Sequence, residues 1–364
     1  MPTNDHEIMP FSLAREIDRQ GSLWPAALLP PEGVEAAKAA ASTLPPVFHW
    51  LILEGRLTGA DRSVDLMASI IDSPGSREAL ALALKCTQSP LLEGARDLLS
   101  AWARPAAHRQ RTCMEHTPLL WLEWDAPYNR APLQLPFIDR RFWGRGFAAP
   151  QTPEELVQMI RGGYEATFGE AHQNATLSAF SRVICALPSD ARALAAASLR
   201  PRGLAVDRLF AALPRHRVLP WLRAIDWPGD LDRVQRWLPR IVAPWEQAFL
   251  QIELDGDGPN AYLGIEPRQT EFGTVDRRER KRLLQHLIDT GLSDVHRVQA
   301  VEAWTRHPEA QGLGPRTVRS CHLKCVLRPN AATEVKAYLG LHLRRQRTQR
   351  RMPTPPRVAA LASA

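Results

Sequence analysis

The amino-acid sequence predicts an α+β fold: an N-terminal helical region over residues 1–110, repeated antiparallel ββ hairpins with outer helices over 111–342, and a basic tail over 343–364. Three observations predict it. Residues 10–105 carry Ala and Leu at three- and four-residue spacing, broken by Ser, Pro and Gly. Four later stretches alternate polar and apolar residues on either side of a turn signal. Helical text separates those stretches from one another.

In the N-terminal region, "GVEAAKAAASTL", "SVDLMASIID", "SREALALALKC" and "LLEGARDLLSAWA" read as helices, since Ala and Leu favour helix and the apolar residues fall on one face. The pattern changes at "LLWLEWD" (119–125), which "APYNRAP" separates from "LQLPFI", so two strands and a turn are expected. "TPEELVQMIRGGYEATFG" opens with a helix start. A second, Ala-rich strand pair covers 191–209 and turns at Arg200–Gly203. "HRVLPWLRAIDW" and "LDRVQRWLPRIV" return to helix. The third pair, 249–267, turns at "DGDGPN", and two helices follow it. The fourth, 321–341, turns at "RPNAAT".

Period two assigns the faces. Leu122 and Trp124 oppose Trp121, Glu123 and Asp125; Leu250, Ile252 and Leu254 oppose Gln251, Glu253 and Asp255. Leu263 and Ile265 oppose Tyr262, Gly264 and Glu266. Cys321, Leu323 and Cys325 oppose His322 and Lys324, and Val335, Ala337 and Leu339 oppose Lys336 and Tyr338. Helices claim the apolar face of each pair. The polar face either meets water, as in an open antiparallel sheet, or lines a ligand cavity, which its mixture of aromatic and charged residues favours.

Composition narrows the function. The formal charge is +7, but the tail from Arg344 onward holds six arginines and no acid, leaving about +1 for the rest. Such a tail reads as a solvated end, and nucleic acid is not an expected partner. Five scattered cysteines form no CxxC pair, so neither a disulfide framework nor a zinc site is predicted. A polar N-terminus and the lack of an 18-residue apolar run predict no signal peptide, no membrane span and a cytoplasmic location. No GxGxxG, GxxxxGK[ST] or HExxH motif occurs, and no cofactor is identified. Glu123, Asp125, Glu253, Asp255 and His322 have the chemistry of a hard-metal site, but the two aspartates fit equally well as strand-end turn residues. Cys113, beside Met114, Glu115 and His116, is a weak nucleophile candidate for want of a base in reach.

Antiparallel hairpins alternating with outer helices around a polar lumen resemble the αββα barrel of aromatic prenyltransferases. Lys336-Ala337-Tyr338 resembles that family's Lys-x-Tyr element, and His322-Leu323-Lys324 resembles a reduced Arg-x-Lys. The resemblance spans roughly residues 115–342, with four hairpins read where the family has five. It implies a prenyl diphosphate held by strand lysines, arginines and tyrosines, and an acid that orients the aromatic substrate. Glu123 and Glu253 are the candidate acids; His322, Lys324, Lys336, Tyr338, Trp121 and Tyr262 are the candidate ligand-binding residues. Two readings stand: a prenyltransferase-like enzyme of specialised metabolism acting on an aromatic or peptide substrate, and a noncatalytic accessory protein that binds a peptide or ligand on the same concave face.

Overall fold

A computed structural model describes residues 6–73, 75–104, 119–129, 132–136, 152–168, 174–243, 246–256, 258–267, 277–306 and 316–346. Eleven strands form one antiparallel sheet: β1 (His6–Met9), β2 (Trp50–Arg56), β3 (Asp65–Ile71), β4 (Leu119–Trp124), β5 (Leu133–Pro136), β6 (Arg192–Ser198), β7 (Asp207–Pro214), β8 (Gln247–Leu254), β9 (Pro259–Pro267), β10 (Arg316–Leu327) and β11 (Glu334–Gln346). From β2 to β11 each strand pairs with the next, and β11 pairs back onto β2 through Lys336↔Arg56 to His342↔Trp50. The sheet therefore closes on itself. β1 extends the ring along the far end of β11, where Ile8 faces Arg344.

Helices connect the hairpins. α1 (Leu13–Gln20) and α2 (Pro31–Ala41) precede β2; α3 (Ser76–Cys86), α4 (Pro90–Glu93) and α5 (Arg96–Ala103) lie between β3 and β4. Among the described residues two helices lie in each later gap: α6 (Pro153–Phe168) with α7 (Asn174–Cys185), α8 (Val218–Ala224) with α9 (Leu231–Ile241), and α10 (Arg277–Asp289) with α11 (Val295–Arg306). The unit is thus a hairpin followed by helices, and all five hairpin turns fall at one end of the ring.

Period two decides what each strand residue meets. Leu51, Leu53, Leu66, Ala68, Leu122, Trp124, Leu250, Ile252, Leu323, Ala337 and Leu339 point outward and join one continuous core with the helices. Buried tryptophans tie the layers together through their indole N–H groups, as buried indoles commonly do. Trp124 donates to Leu91 O at 2.9 Å and Trp304 to Ser320 O at 2.9 Å, each linking helical text to the barrel wall. Gly55 is required by a close approach: a Cβ there would stand 2.9 Å from Leu28 O and 2.9 Å from Leu29 Cδ2.

The structure corrects the sequence reading in two places. The fifth hairpin, β2–β3, lies inside the stretch expected to be wholly helical, so the barrel begins well before residue 111 and "SVDLMASIID" is largely a strand. These strands carry apolar residues on both faces at one end: Trp50, Ile52 and Met67 share the inner face with Glu54 and Asp65. Two apolar faces blur period two into something helix-like. The tail boundary also moves, because Arg344, Arg345 and Gln346 belong to β11 and pair with β1. Residues 347–364 and the segment containing Cys113 and His116 lie outside the described residues.

Candidate active site

The inward faces enclose a cavity of about 880 Å³ that opens between the hairpin turns. Arginines from the outer helices pin those turns. Arg297 of α11 donates to Gly59 O at 2.9 Å, and Arg233 of α9 donates to Arg328 O and Thr333 Oγ1, both at 2.9 Å. The mouth is therefore framed by helix-anchored loops.

The upper wall is ionic. Arg56, Arg202, Arg208, Lys324, Arg328 and Lys336 line it with Asp61, Glu123, Asp125, Glu253 and Glu334. Glu54 and Asp65 lie buried behind them. Of the residues just named, seven are acids and six are cations.

The pairs are specific. Arg208 meets Glu253 at 2.6 Å, and Asn260 Nδ2 donates to the other oxygen of that carboxylate at 3.2 Å. Arg202, from the β6–β7 turn, reaches across the mouth to Asp125 at 2.9 Å and Glu123 at 3.8 Å, and also donates to the Glu123 carbonyl. Arg208 and Arg328 lie over the Tyr262 ring at 4.8 and 5.5 Å.

At the centre stand β10 and β11, whose register sets Lys324 opposite Lys336 and His322 opposite Tyr338. Two ammonium groups so placed need a counter-charge. Lys336 finds it in Glu54 at 2.7 Å, a residue of the hairpin that the sequence reading took for helix. Arg56 also approaches Glu54 at 3.1 Å and holds Asp65 at 2.6 Å. These cations keep Glu54 well below the ordinary carboxylate range although burial pushes the other way. Burial, aided by the charge of Glu54, raises Asp65 to about 7. Lys324 donates to Gln251 Oε1 at 3.1 Å and sits 5.3 Å from the Tyr338 ring centroid. His322 stacks on Tyr338 at 4.3 Å; burial, then Lys324, lowers its pKa to about 3, so the imidazole is neutral at pH 7.

The lower lumen is aromatic. Trp50 and Trp121 stack at 5.6 Å with 12° between their planes, and His342 meets Trp50 edge-on at 5.5 Å. Leu194, Ala212 and Phe249 form a small apolar cluster against Phe210. Ser320 and Gly340 are cross-strand neighbours on the inner face of β10 and β11.

The eight candidates from the sequence, Trp121, Glu123, Glu253, Tyr262, His322, Lys324, Lys336 and Tyr338, all fall on this inner face. They divide into a central group of four on β10–β11, a pair of acids on opposite walls that each face an arginine, Tyr262 on β9 against Arg208 and Arg328, and a tryptophan in the floor. Asp125 and Asp255 differ: Asp125 meets Arg202, whereas Asp255 closes its own turn by accepting from Gly258 N at 3.1 Å. The sequence reading missed Glu54, Arg56, Arg202, Arg208 and Ser320. Alternation in "LILEGR" was the available signal for the first two.

No family model and no curated protein matches the chain. Solved structures do. The crystal structure of 5-dimethylallyl tryptophan synthase from Streptomyces coelicolor, in complex with DMASPP and Trp, aligns with a TM-score of 0.51 at 14% identity, covering 91% of this chain and 95% of that one. The fold is that of the aromatic prenyltransferases. Two structures of prenyltransferase PriB also match. The apo form has a TM-score of 0.47 at 12% identity, covering 90% of this chain and 94% of that one. The binary complex with product diphosphate has a TM-score of 0.48 at 13% identity, covering 90% and 96%. The prenyltransferase-like barrel carries no described helix long and apolar enough to cross a membrane.

Proposed function

We propose that this chain is a cytoplasmic enzyme of specialised metabolism that transfers a prenyl group from a prenyl diphosphate to an aromatic small molecule or an aromatic residue of a peptide. The observation that carries the reading is a barrel cavity lined by Arg56, Arg208, Lys324 and Lys336 beside Tyr262, with Tyr338 and the Trp50–Trp121 stack on the same inner face. The S. coelicolor synthase is in complex with DMASPP and Trp, a donor and acceptor of this kind.

Each layer supplies a distinct contribution. The cations hold the diphosphate while the allylic C–O bond breaks and its electron pair leaves with the diphosphate oxygen. Aromatic faces of Tyr338, Tyr262 and Trp121 stabilise the allylic cation and exclude water from it. The acceptor ring forms the new bond to the prenyl carbon and then loses a proton to a carboxylate. Glu54, Glu123 and Glu253, each beside a cation, orient an N–H or O–H of the acceptor, and each does so by exchanging a contact with that cation.

The test is direct. Dimethylallyl and geranyl diphosphates are incubated with tryptophan, indoles and Trp-containing peptides, and products are read by mass for gain of one prenyl unit. Arg208→Met and Lys324→Met should each lower kcat/KM by about ten- to a hundredfold, the scale of one charge-assisted hydrogen bond. Absence of product with every pair would remove the catalytic reading.

A second reading is favoured by the balance of seven acids against six cations, which leaves the wall without surplus positive charge for a diphosphate. In it the lumen binds a peptide or zwitterionic ligand without turnover. Calorimetry separates the two: diphosphate binding at millimolar concentration or below supports the enzyme, and peptide binding without diphosphate binding supports the accessory protein.

A further inference from the structure

A second charged cavity lies outside the barrel, between α10 and α11. It measures about 270 Å³ and is lined by Arg280, Lys281, Glu302, Thr305 and Arg306. It is too small for most organic ligands but has room for a phosphate group with its water. Three cations face one carboxylate there, and that carboxylate, Glu302, is taken by Arg306 one helical turn along. Lys281 is exposed on the cavity rim.

Arg280 is the informative residue. It is 7% exposed, and its Nη2 donates to the neutral hydroxyl of Thr305 at 3.1 Å. Its Nε has no hydrogen-bond partner, and no carboxylate of the described residues pairs with its charge. A buried guanidinium whose partner among the described residues is a hydroxyl is costly, because removal from water is not repaid by an opposite charge. Arginine's planar fork suits an oxyanion with two acceptor atoms. The lumen does not account for this group, since Arg280 sits behind β10, where its field reaches the outward-facing Cys321 thiol.

We propose that the α10–α11 cavity is a binding site for a phosphate dianion, held by Arg280 with Lys281 and Arg306 and separate from the lumen. The occupant is either free phosphate or diphosphate, or the phosphate end of a larger molecule such as a nucleotide. The shared chemistry is a tetrahedral oxyanion that completes the donors of Arg280.

Thermal unfolding of the full chain is followed in inorganic phosphate, diphosphate or a nucleoside monophosphate, with sodium chloride keeping ionic strength constant. The wild type should show a saturable rise in Tm with phosphate and none with chloride. A nucleotide that binds at least tenfold more tightly than phosphate would identify the larger occupant; equal or weaker binding would identify the free anion. Arg280→Met should weaken the apparent phosphate affinity at least tenfold. Without phosphate it should be as stable as the wild type or more so, because an apolar isostere replaces an uncompensated charge. A merely structural arginine would lose stability in the absence of phosphate and leave the phosphate response unchanged. Running the same comparison in a Lys336→Met background, which weakens any binding in the lumen and leaves the α10–α11 cavity unaltered, separates the two sites. If Arg280→Met fails to fold, the double variant Lys281→Ala/Arg306→Ala, altered only at exposed positions, should show the tenfold loss instead. A wild type insensitive to phosphate, or a variant whose affinity stays within twofold in the Lys336→Met background, overturns the site.

Discussion

Replacing Glu54 by Gln tests the electrostatic centre of the barrel. Glu54 is fully buried, with Lys336 at 2.7 Å and Arg56 at 3.1 Å from the same carboxylate oxygen. Removing one partner of a buried pair costs about 3–5 kcal/mol, because the other charge is left in a poor solvent. Both cations keep a second carboxylate here: Arg56 retains Asp65 at 2.6 Å, and Lys336 retains Glu334 at 3.8 Å. The expected loss is therefore at the lower end, about 3 kcal/mol. Lys336→Met removes the other partner, and Glu54 keeps Arg56, so its cost should be about 1–2 kcal/mol. In the double variant neither charge is orphaned, and the two losses should fall short of adding by about 1.5 kcal/mol or more. Urea unfolding of the four proteins at pH 7 gives the cycle. A coupling below about 0.5 kcal/mol would mean that Glu54 and Lys336 do not depend on each other, and the account of how the facing lysines are neutralised would fail.

Three further outcomes follow from the packing and protonation of the barrel. His49, His322 and His342 are held neutral by burial, at about 4, 3 and 3, so the unfolded chain binds three more protons between pH 4 and 6.5. Asp65, raised to about 7, binds one more proton in the folded chain over the same range, which acts in the opposite direction. The net of two protons makes stability fall on acidification by about 2.7 kcal/mol per pH unit from these groups, and His322→Gln should reduce the slope by about 1.4; an unchanged slope in urea titrations would rule out a neutral His322. Gly340→Ala would set its Cβ 2.2 Å from Ser320 Oγ, so it should cost about 1–3 kcal/mol, and adding Ser320→Ala should recover most of the loss; no recovery would place the clash elsewhere. A chain ending at Leu343 should unfold at lower temperature than one ending at Gln346, because it loses the pairing of Arg344, Arg345 and Gln346 with β1; equal melting temperatures would show that β1 adds nothing to the ring.

What could be read from the sequence was the alternation, and its limits are physical. Strand pairs with one wholly polar face, such as Lys324 and Lys336 on β10–β11, announce themselves and place their inner residues correctly. β2 and β3 do not, because the aromatic floor of the lumen puts Trp50, Ile52 and Met67 on the face that elsewhere is charged. That one misreading hid Glu54 and Arg56, and with them the answer to how Lys336 is neutralised. Arg208 escaped notice because its strand opens as Asp207-Arg208, which resembles the end of the preceding loop, whereas its partner Glu253 was found on a cleaner strand. Arg280 had no sequence signal, since a run of basic residues at a helix start ordinarily points to water.

The two faces of the wall answer to different masters. Leu122, Leu250, Leu323 and Leu339 are fixed by the helices they support. Their immediate chain neighbours, Glu123, Gln251, Lys324 and Tyr338, touch only the interior and one another. A lineage can therefore rewrite every second residue of a strand without disturbing the architecture, so changes of ligand and changes of fold need not travel together. Contacts that hold the fold and contacts that face the cavity are thus carried by alternate residues of the same strands.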